Sequence, residues 1–129
     1  MNSDVMNEES VFSDTPQSHW LHQSEHFFII ADKYPVSNGH LLIVSKQPCR
    51  DFFELNEEEK TELPLVIVKA KEIIEKDHKP GGYNIGMNCG AVAGQTVFHF
   101  HCHVIPRYEG DVENPRGGIR NVIPGKGDY

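Results

Sequence analysis

Long apolar runs are missing from this chain of 129 residues, so it has no stretch approaching the ~20 residues that a bilayer-spanning helix needs. The opening Met1 to Ser10 lacks the basic and then apolar pattern of a secretory signal. A cytoplasmic location is expected, with no membrane partner. Cysteine is scarce: Cys49, Cys89 and Cys102 include no Cys-x-x-Cys pair and leave an odd one over, which excludes a disulfide framework and predicts free thiols. Positive charge is outweighed, 12 Lys and Arg against 19 Asp and Glu for a net charge of −7, and this argues against nucleic acid as a partner. A small anionic ligand stays compatible, because backbone N–H groups, imidazoles and a few placed arginines suffice to hold phosphate.

Histidine is what the chain has. Residues 99 to 103 read His-Phe-His-Cys-His, three imidazoles at every second position, a spacing that places all three on one face of a strand. Phe98, Phe100, Cys102 and Val104 then fall on the opposite face, giving one apolar side and one row of titratable nitrogens. A metal centre using all three is unfavourable, since His99 and His103 stand roughly 13 Å apart along a strand while zinc takes ligands at ~2 Å. Phosphorus chemistry suits the row better. A neutral imidazole nitrogen is nucleophilic near pH 7 and leaves again once phosphorylated, so one histidine can split a displacement into two steps while its neighbours manage protons. His101, in the middle, is the expected nucleophile, with a neighbour one pleat away hydrogen-bonding a nonbridging oxygen or acting as general acid.

The remaining pattern predicts an α+β domain: roughly five antiparallel strands with one main helix packed on the sheet. Residues 1–8 read as a mobile polar leader and 9–129 as a single domain, with 107–129 an extended tail carrying four charges of each sign. Trp20 to Gln23 and Phe27 to Lys33 read as paired strands, and Ser37-Asn38-Gly39 before His40 to Val44 reads as a hairpin. Asn56, with Glu59 three residues on, reads as the N-cap of a long helix whose buried stripe is Leu63, Ile67, Ala70 and Ile74. Pro64 predicts a kink or split near residue 63. Tyr83 to Asn88 and Thr96 to Pro106 complete the sheet, joined through the Gly90 to Gly94 loop.

The run from Gly94 to Arg107, with His-φ-His-φ-His-φ-φ met at every position, resembles the signature of the histidine triad superfamily, and Asp32 to Lys46 resembles the hairpin upstream of it. The similarity covers about residues 9 to 129. It implies that His101 takes the nucleotidyl group, with His99, His103 and His40 orienting it and the phosphate. It also implies that Asp32 holds the ribose hydroxyls, that Phe12, Ile30 and Leu42 enclose the base, and that Asn88, Gln95 and Thr96 contact the α-phosphate or leaving group. Ser10-Val11-Phe12-Ser13 stands where many bacterial relatives carry Cys-x-x-Cys, and hydroxyls are poor zinc ligands, so no metal is expected. Ile105 to Asp111 looks like the segment after the triad in the fragile histidine triad branch, whose members cleave dinucleoside polyphosphates. The implied protein is a hydrolase or transferase acting at an α-phosphate, commonly a homodimer, with no tightly bound cofactor and at most a divalent cation accompanying the substrate. Action on nucleoside phosphoramidates and a non-catalytic nucleotide-binding role are the alternatives.

Overall fold

The computed structural model describes residues 10–129; the expected leader, 1–8, lies outside them. Five strands form one antiparallel sheet: β1 His22–Gln23, β2 Phe27–Ala31, β3 Leu41–Ser45, β4 Gly82–Gly86 and β5 His101–Arg107, in spatial order β1-β2-β3-β5-β4. An α-helix, α1 Glu57–Asp77, lies on one face. Among the described residues no helix is long and apolar enough to cross a membrane.

Helix α1 begins where its side chains satisfy the first orphan N–H groups. Asn56 accepts from the Glu59 N–H at 2.8 Å while Glu59 accepts from the Asn56 N–H at 2.8 Å, and three glutamates face the positive end of the helix dipole. Of the predicted kink or split there is no split: the helix runs unbroken through Pro64. Pro64 is on the exposed side, so the Lys60 carbonyl that it deprives of a partner is turned toward water rather than buried. On the other side Leu63, Val66, Ala70 and Ile74 are buried against the sheet; Val66 takes the place predicted for Ile67, which is only half-buried. The core they meet is Phe27, Ile29, Leu41, Ile43, Phe100, Cys102 and Val104.

The opposite face carries a second apolar cluster, Phe28, Ile30, Leu42 and Val44, covered by Phe12 and Trp20 from the N-terminal segment. Trp20 stacks on Phe28 with ring centroids 4.1 Å apart. Strand register builds two cross-sheet ladders on this face, Phe28–Val44–His101 and Ile30–Leu42–His103. The histidines thus continue the apolar floor. The hairpin that brings β3 alongside ends on Gly39, whose φ of +94° is a left-handed value and whose missing Cβ would stand 3.1 Å from the His78 ring.

The histidine strand is shorter than predicted, beginning at His101 instead of Thr96. Just before it the Phe100 carbonyl still accepts the Ser45 N–H at 3.4 Å, while the Phe100 N–H donates to the Cys49 carbonyl at 2.7 Å, in the loop after β3. Phe98 consequently lies outside the core, half-buried beneath the Arg50 guanidinium at 4.7 Å.

A clasp joins the β1–β2 turn to α1. His26 Nδ1 lies 2.6 Å from Glu62 Oε1, and Ser24 donates to the same carboxylate. The hydrogen bond to Glu62 raises the His26 pKa above 6.5. Burial works against the Glu62 carboxylate, but hydrogen bonds from Ser24 and His26 outweigh it and hold its pKa below 4.5. The His26 contribution is therefore full below pH 6.5 and fades as pH rises through the raised pKa, while that of Glu62 is full above pH 4.5 and fades on acidification. The thermal midpoint of Glu62→Gln should fall furthest below wild type between these two values, and the gap should narrow by pH 9 as the His26 charge is lost; an equal gap at every pH contradicts the clasp.

Candidate active site

Alternation along β5 turns His101, His103, Ile105 and Arg107 toward the second cluster and buries Cys102, Val104 and Pro106. The hydrogen-bond partners then assign each ring its proton. Only an acceptor can receive from a backbone N–H, so His40 Nδ1, 3.1 Å from the Val36 N–H, is unprotonated. The His40 proton is on Nε2, which points at His103 Nδ1 over 2.9 Å. His103 Nδ1 is then an acceptor and its Nε2–H is free to donate. His101 Nδ1 lies 2.8 Å from the His99 carbonyl oxygen, which only accepts. The proton of His101 therefore sits on Nδ1, and Nε2 carries an open lone pair.

Burial is the first cause in lowering the pKa of all four rings. It pulls His40, His99 and His101 below 6.5. For His103 it is joined by the neighbouring His101 and His40, and the pKa falls to about 4. At neutral pH the site thus holds uncharged imidazoles, one with a lone pair outward and one with an N–H outward.

The other predicted residues divide. Asp32 is brought to the pair, its Oδ2 3.3 Å from His40 Nε2 and 3.9 Å from His103 Nδ1, while its Oδ1 accepts the Tyr34 N–H. Ile30 and Leu42 lie in the floor and Phe12 tilts over His101 at 4.9 Å between centroids. His99 is placed differently from its neighbours. It is 1% exposed, and its nitrogens meet Ser10 Oγ at 2.7 Å and the Ser45 carbonyl at 2.8 Å, so the ring supports the row instead of facing a ligand. Gln95 is also turned inward, its amide donating to the Arg50 and Val97 carbonyls and accepting the Gly90 N–H. These bonds brace the loop ahead of the histidine strand. Asn88 and Thr96 are exposed on the same loop.

Asp32, His40 and His103 bring three donor atoms within 4.8 Å of one another. As a metal set they fit poorly, because with Nδ1 engaged by Val36 a metal on His40 Nε2 would have to displace its only proton. The tail arginines are engaged elsewhere. Arg107 grips Asp111 at 2.7 and 2.8 Å and Asn84 at 2.6 Å, and Arg116 and Arg120 flank the Tyr129 ring at 5.3 and 4.5 Å. A cleft of about 440 Å³ separates this tail from the sheet beyond His103.

Sequence reasoning missed Ser10 and the Val36 N–H as partners of the row. A hydroxyl 89 positions from His99 leaves no mark in spacing, and a backbone donor leaves none in residue type.

Fold and site together define a class: an α+β domain with a histidine row on the face of an antiparallel sheet opposite its helix. Residues 14–110 match the HIT domain family, and the chain belongs to it. It is 38% identical over 106 residues to an uncharacterised HIT-like protein of Mycoplasma genitalium, covering 77% of this chain and 73% of that one. It is 34% identical over 85 residues to the AP-4-A phosphorylase of Mycobacterium tuberculosis, covering 65% of this chain and 44% of that one. The nitrilase and fragile histidine triad fusion protein of Caenorhabditis elegans is 33% identical over 96 residues, 74% of this chain and 22% of that one. Among solved structures, a HIT family member from Bacillus subtilis superposes with a TM-score of 0.73 at 28% identity, covering 92% of this chain and 89% of that one.

Proposed function

We propose that the protein is a nucleotide hydrolase or transferase that acts at the α-phosphate of dinucleoside polyphosphates or related nucleotides through a nucleotidyl-His101 intermediate. The observation that carries this reading is the proton inventory: His101 holds its proton on Nδ1 against the His99 carbonyl, leaving Nε2 open beside an outward His103 Nε2–H. The His101 Nε2 lone pair forms the N–P bond as the bond from phosphorus to the leaving oxygen breaks, and the polyphosphate departs as an anion. His103 Nε2–H donates to a nonbridging oxygen as its charge grows. Water then attacks the same phosphorus, the N–P bond breaks, the pair returns to Nε2 and the water proton goes to solvent with the mononucleotide.

Asp32 is the candidate acceptor for the ribose hydroxyls, and Phe12, Ile30 and Leu42 are the candidate walls for the base, with Asn88 and Thr96 open to the leaving group. A divalent cation enters only with the polyphosphate. A homodimer is part of the proposal. Strand β4 is an edge of the sheet with Ile85 42% exposed, and pairing two such edges would remove an unpaired row of backbone groups.

Protonated His101 cannot attack. With burial lowering its pKa, kcat/KM should hold a plateau down to pH 6.5 and fall only below it; an acid limb centred above pH 6.5 contradicts the assignment. The substrate class is tested by mononucleotide release from a panel of diadenosine polyphosphates and adenosine phosphoramidates. Preference for the polyphosphates supports the proposal. Preference for phosphoramidates, or tight nucleotide binding with no release, overturns it.

A further inference from the structure

The turn at residues 10–13 lies ahead of the stretch that matches the family, yet it closes over the first two histidines of the row. Ser10 is 6% exposed, and its Oγ is 2.7 Å from His99 Nδ1. At the other edge of the ring, Nε2 is 2.8 Å from the Ser45 carbonyl oxygen. A carbonyl only accepts, so Nε2 bears the proton and the buried Nδ1 lone pair receives the Ser10 hydroxyl hydrogen. The Ser10 oxygen in turn accepts the Ser13 N–H at 3.2 Å, which ties the turn to the same hydroxyl. Phe12, inside that turn, packs edgewise on His99 at 5.7 Å and tilts against His101 at 4.9 Å.

We propose that Ser10 is a positioning residue for nucleotidyl transfer: its hydroxyl locks the Nε2–H tautomer and ring plane of His99, and the His99 carbonyl holds His101 Nδ1–H so that Nε2 faces the phosphorus. The kinetic part rests on the proposed function; the lock on His99 does not. Two constraints converge on one peptide. The His99 ring is pinned at both nitrogens, and its carbonyl is the sole acceptor of the His101 ring proton among the described residues. Removing the Ser10 hydroxyl leaves a buried acceptor without a donor and frees the ring to turn away from Ser45. Because the ring and the 99–101 peptide move together, the loss reaches His101 without any contact between Ser10 and substrate.

The test uses the full chain labelled with ¹⁵N. Imidazole spectra of wild type should show His99 protonated at Nε2 and His101 at Nδ1. In Ser10→Ala the hydrogen-bonded His99 Nδ1 signal should shift and both ring signals broaden. The rate of adduct formation on His101 with diadenosine polyphosphate should fall about ten-fold or more, since small misplacements of a reacting group have effects of that scale, with KM within two-fold of wild type. Ser10→Thr, which keeps the hydroxyl, should restore spectra and rate. Phe12→Ala should raise KM and keep the His99 signature, separating loss of packing from loss of the lock.

Unchanged imidazole spectra and rate in Ser10→Ala overturn the inference, as does failure of Ser10→Thr to restore a changed spectrum. Spectra that respond to Ser10→Ala while wild type forms no adduct with any nucleotide leave the lock standing and overturn the proposed function instead. If Ser10→Ala loosens the fold, Ser10→Cys, a weaker donor of similar size, should give intermediate spectra and rate; wild-type values there overturn the inference.

Discussion

His101→Ala should lower turnover of a diadenosine polyphosphate by roughly 10³-fold or more, the scale on which loss of a nucleophile is felt, while nucleotide affinity stays near that of wild type. The substitution removes the one ring whose outward nitrogen is a lone pair and leaves the Ile30–Leu42–His103 ladder in place. His103 cannot substitute, because its Nδ1 is occupied by the His40 Nε2–H and its outward nitrogen carries a proton. Nor can His99, sealed between Ser10 and Ser45. Steady-state kinetics with equilibrium binding of a nonhydrolysable analogue separates the two effects. A loss below ten-fold would mean that another group attacks.

Phe100→Ala should cost about 3–5 kcal/mol of folding stability, the usual range for truncating a buried phenylalanine, out of the roughly 5–15 kcal/mol that hold a domain together. Phe100 is 1% exposed, packs edgewise on Phe27 at 5.9 Å, and sits in the core shared by the sheet and α1. Its backbone also fastens the segment, donating to Cys49. Standing between His99 and His101, it anchors the peptide whose carbonyl orients the nucleophile, so activity at a temperature where the variant is still folded should fall with stability. Denaturant unfolding measures the first effect and kinetics the second. A change below 1 kcal/mol would show that the ring is not a main tie between helix and sheet.

Much of the fold was legible because its signals are local. Alternation from His101 to Arg107, the turn at Ser37 to Gly39 and the pairing of Asn56 with Glu59 each report a backbone periodicity or an orphan N–H within a few residues. The misreadings arise where tertiary contacts overrule the local signal. Alternation gave Phe98 a place in the core, but Cys49 captures the Phe100 N–H and Phe98 lies half-buried beneath Arg50. Pro64 signalled a kink or split, and the split does not occur because it faces outward from a helix whose buried stripe is packed along its length. The tautomers of the row were beyond reach from sequence, since they are set by the Val36 N–H and by the carbonyls of His99 and Ser45.

The covalent intermediate is the central claim, and rapid-quench intact-mass spectrometry tests it most directly. Wild-type chain mixed with a diadenosine polyphosphate and quenched in milliseconds should gain the mass of one adenylyl group, with fragmentation placing it on His101, and His101→Gly should gain none. Release of mononucleotide by wild type with no adduct at any quench time, or an adduct on another residue, would contradict the account.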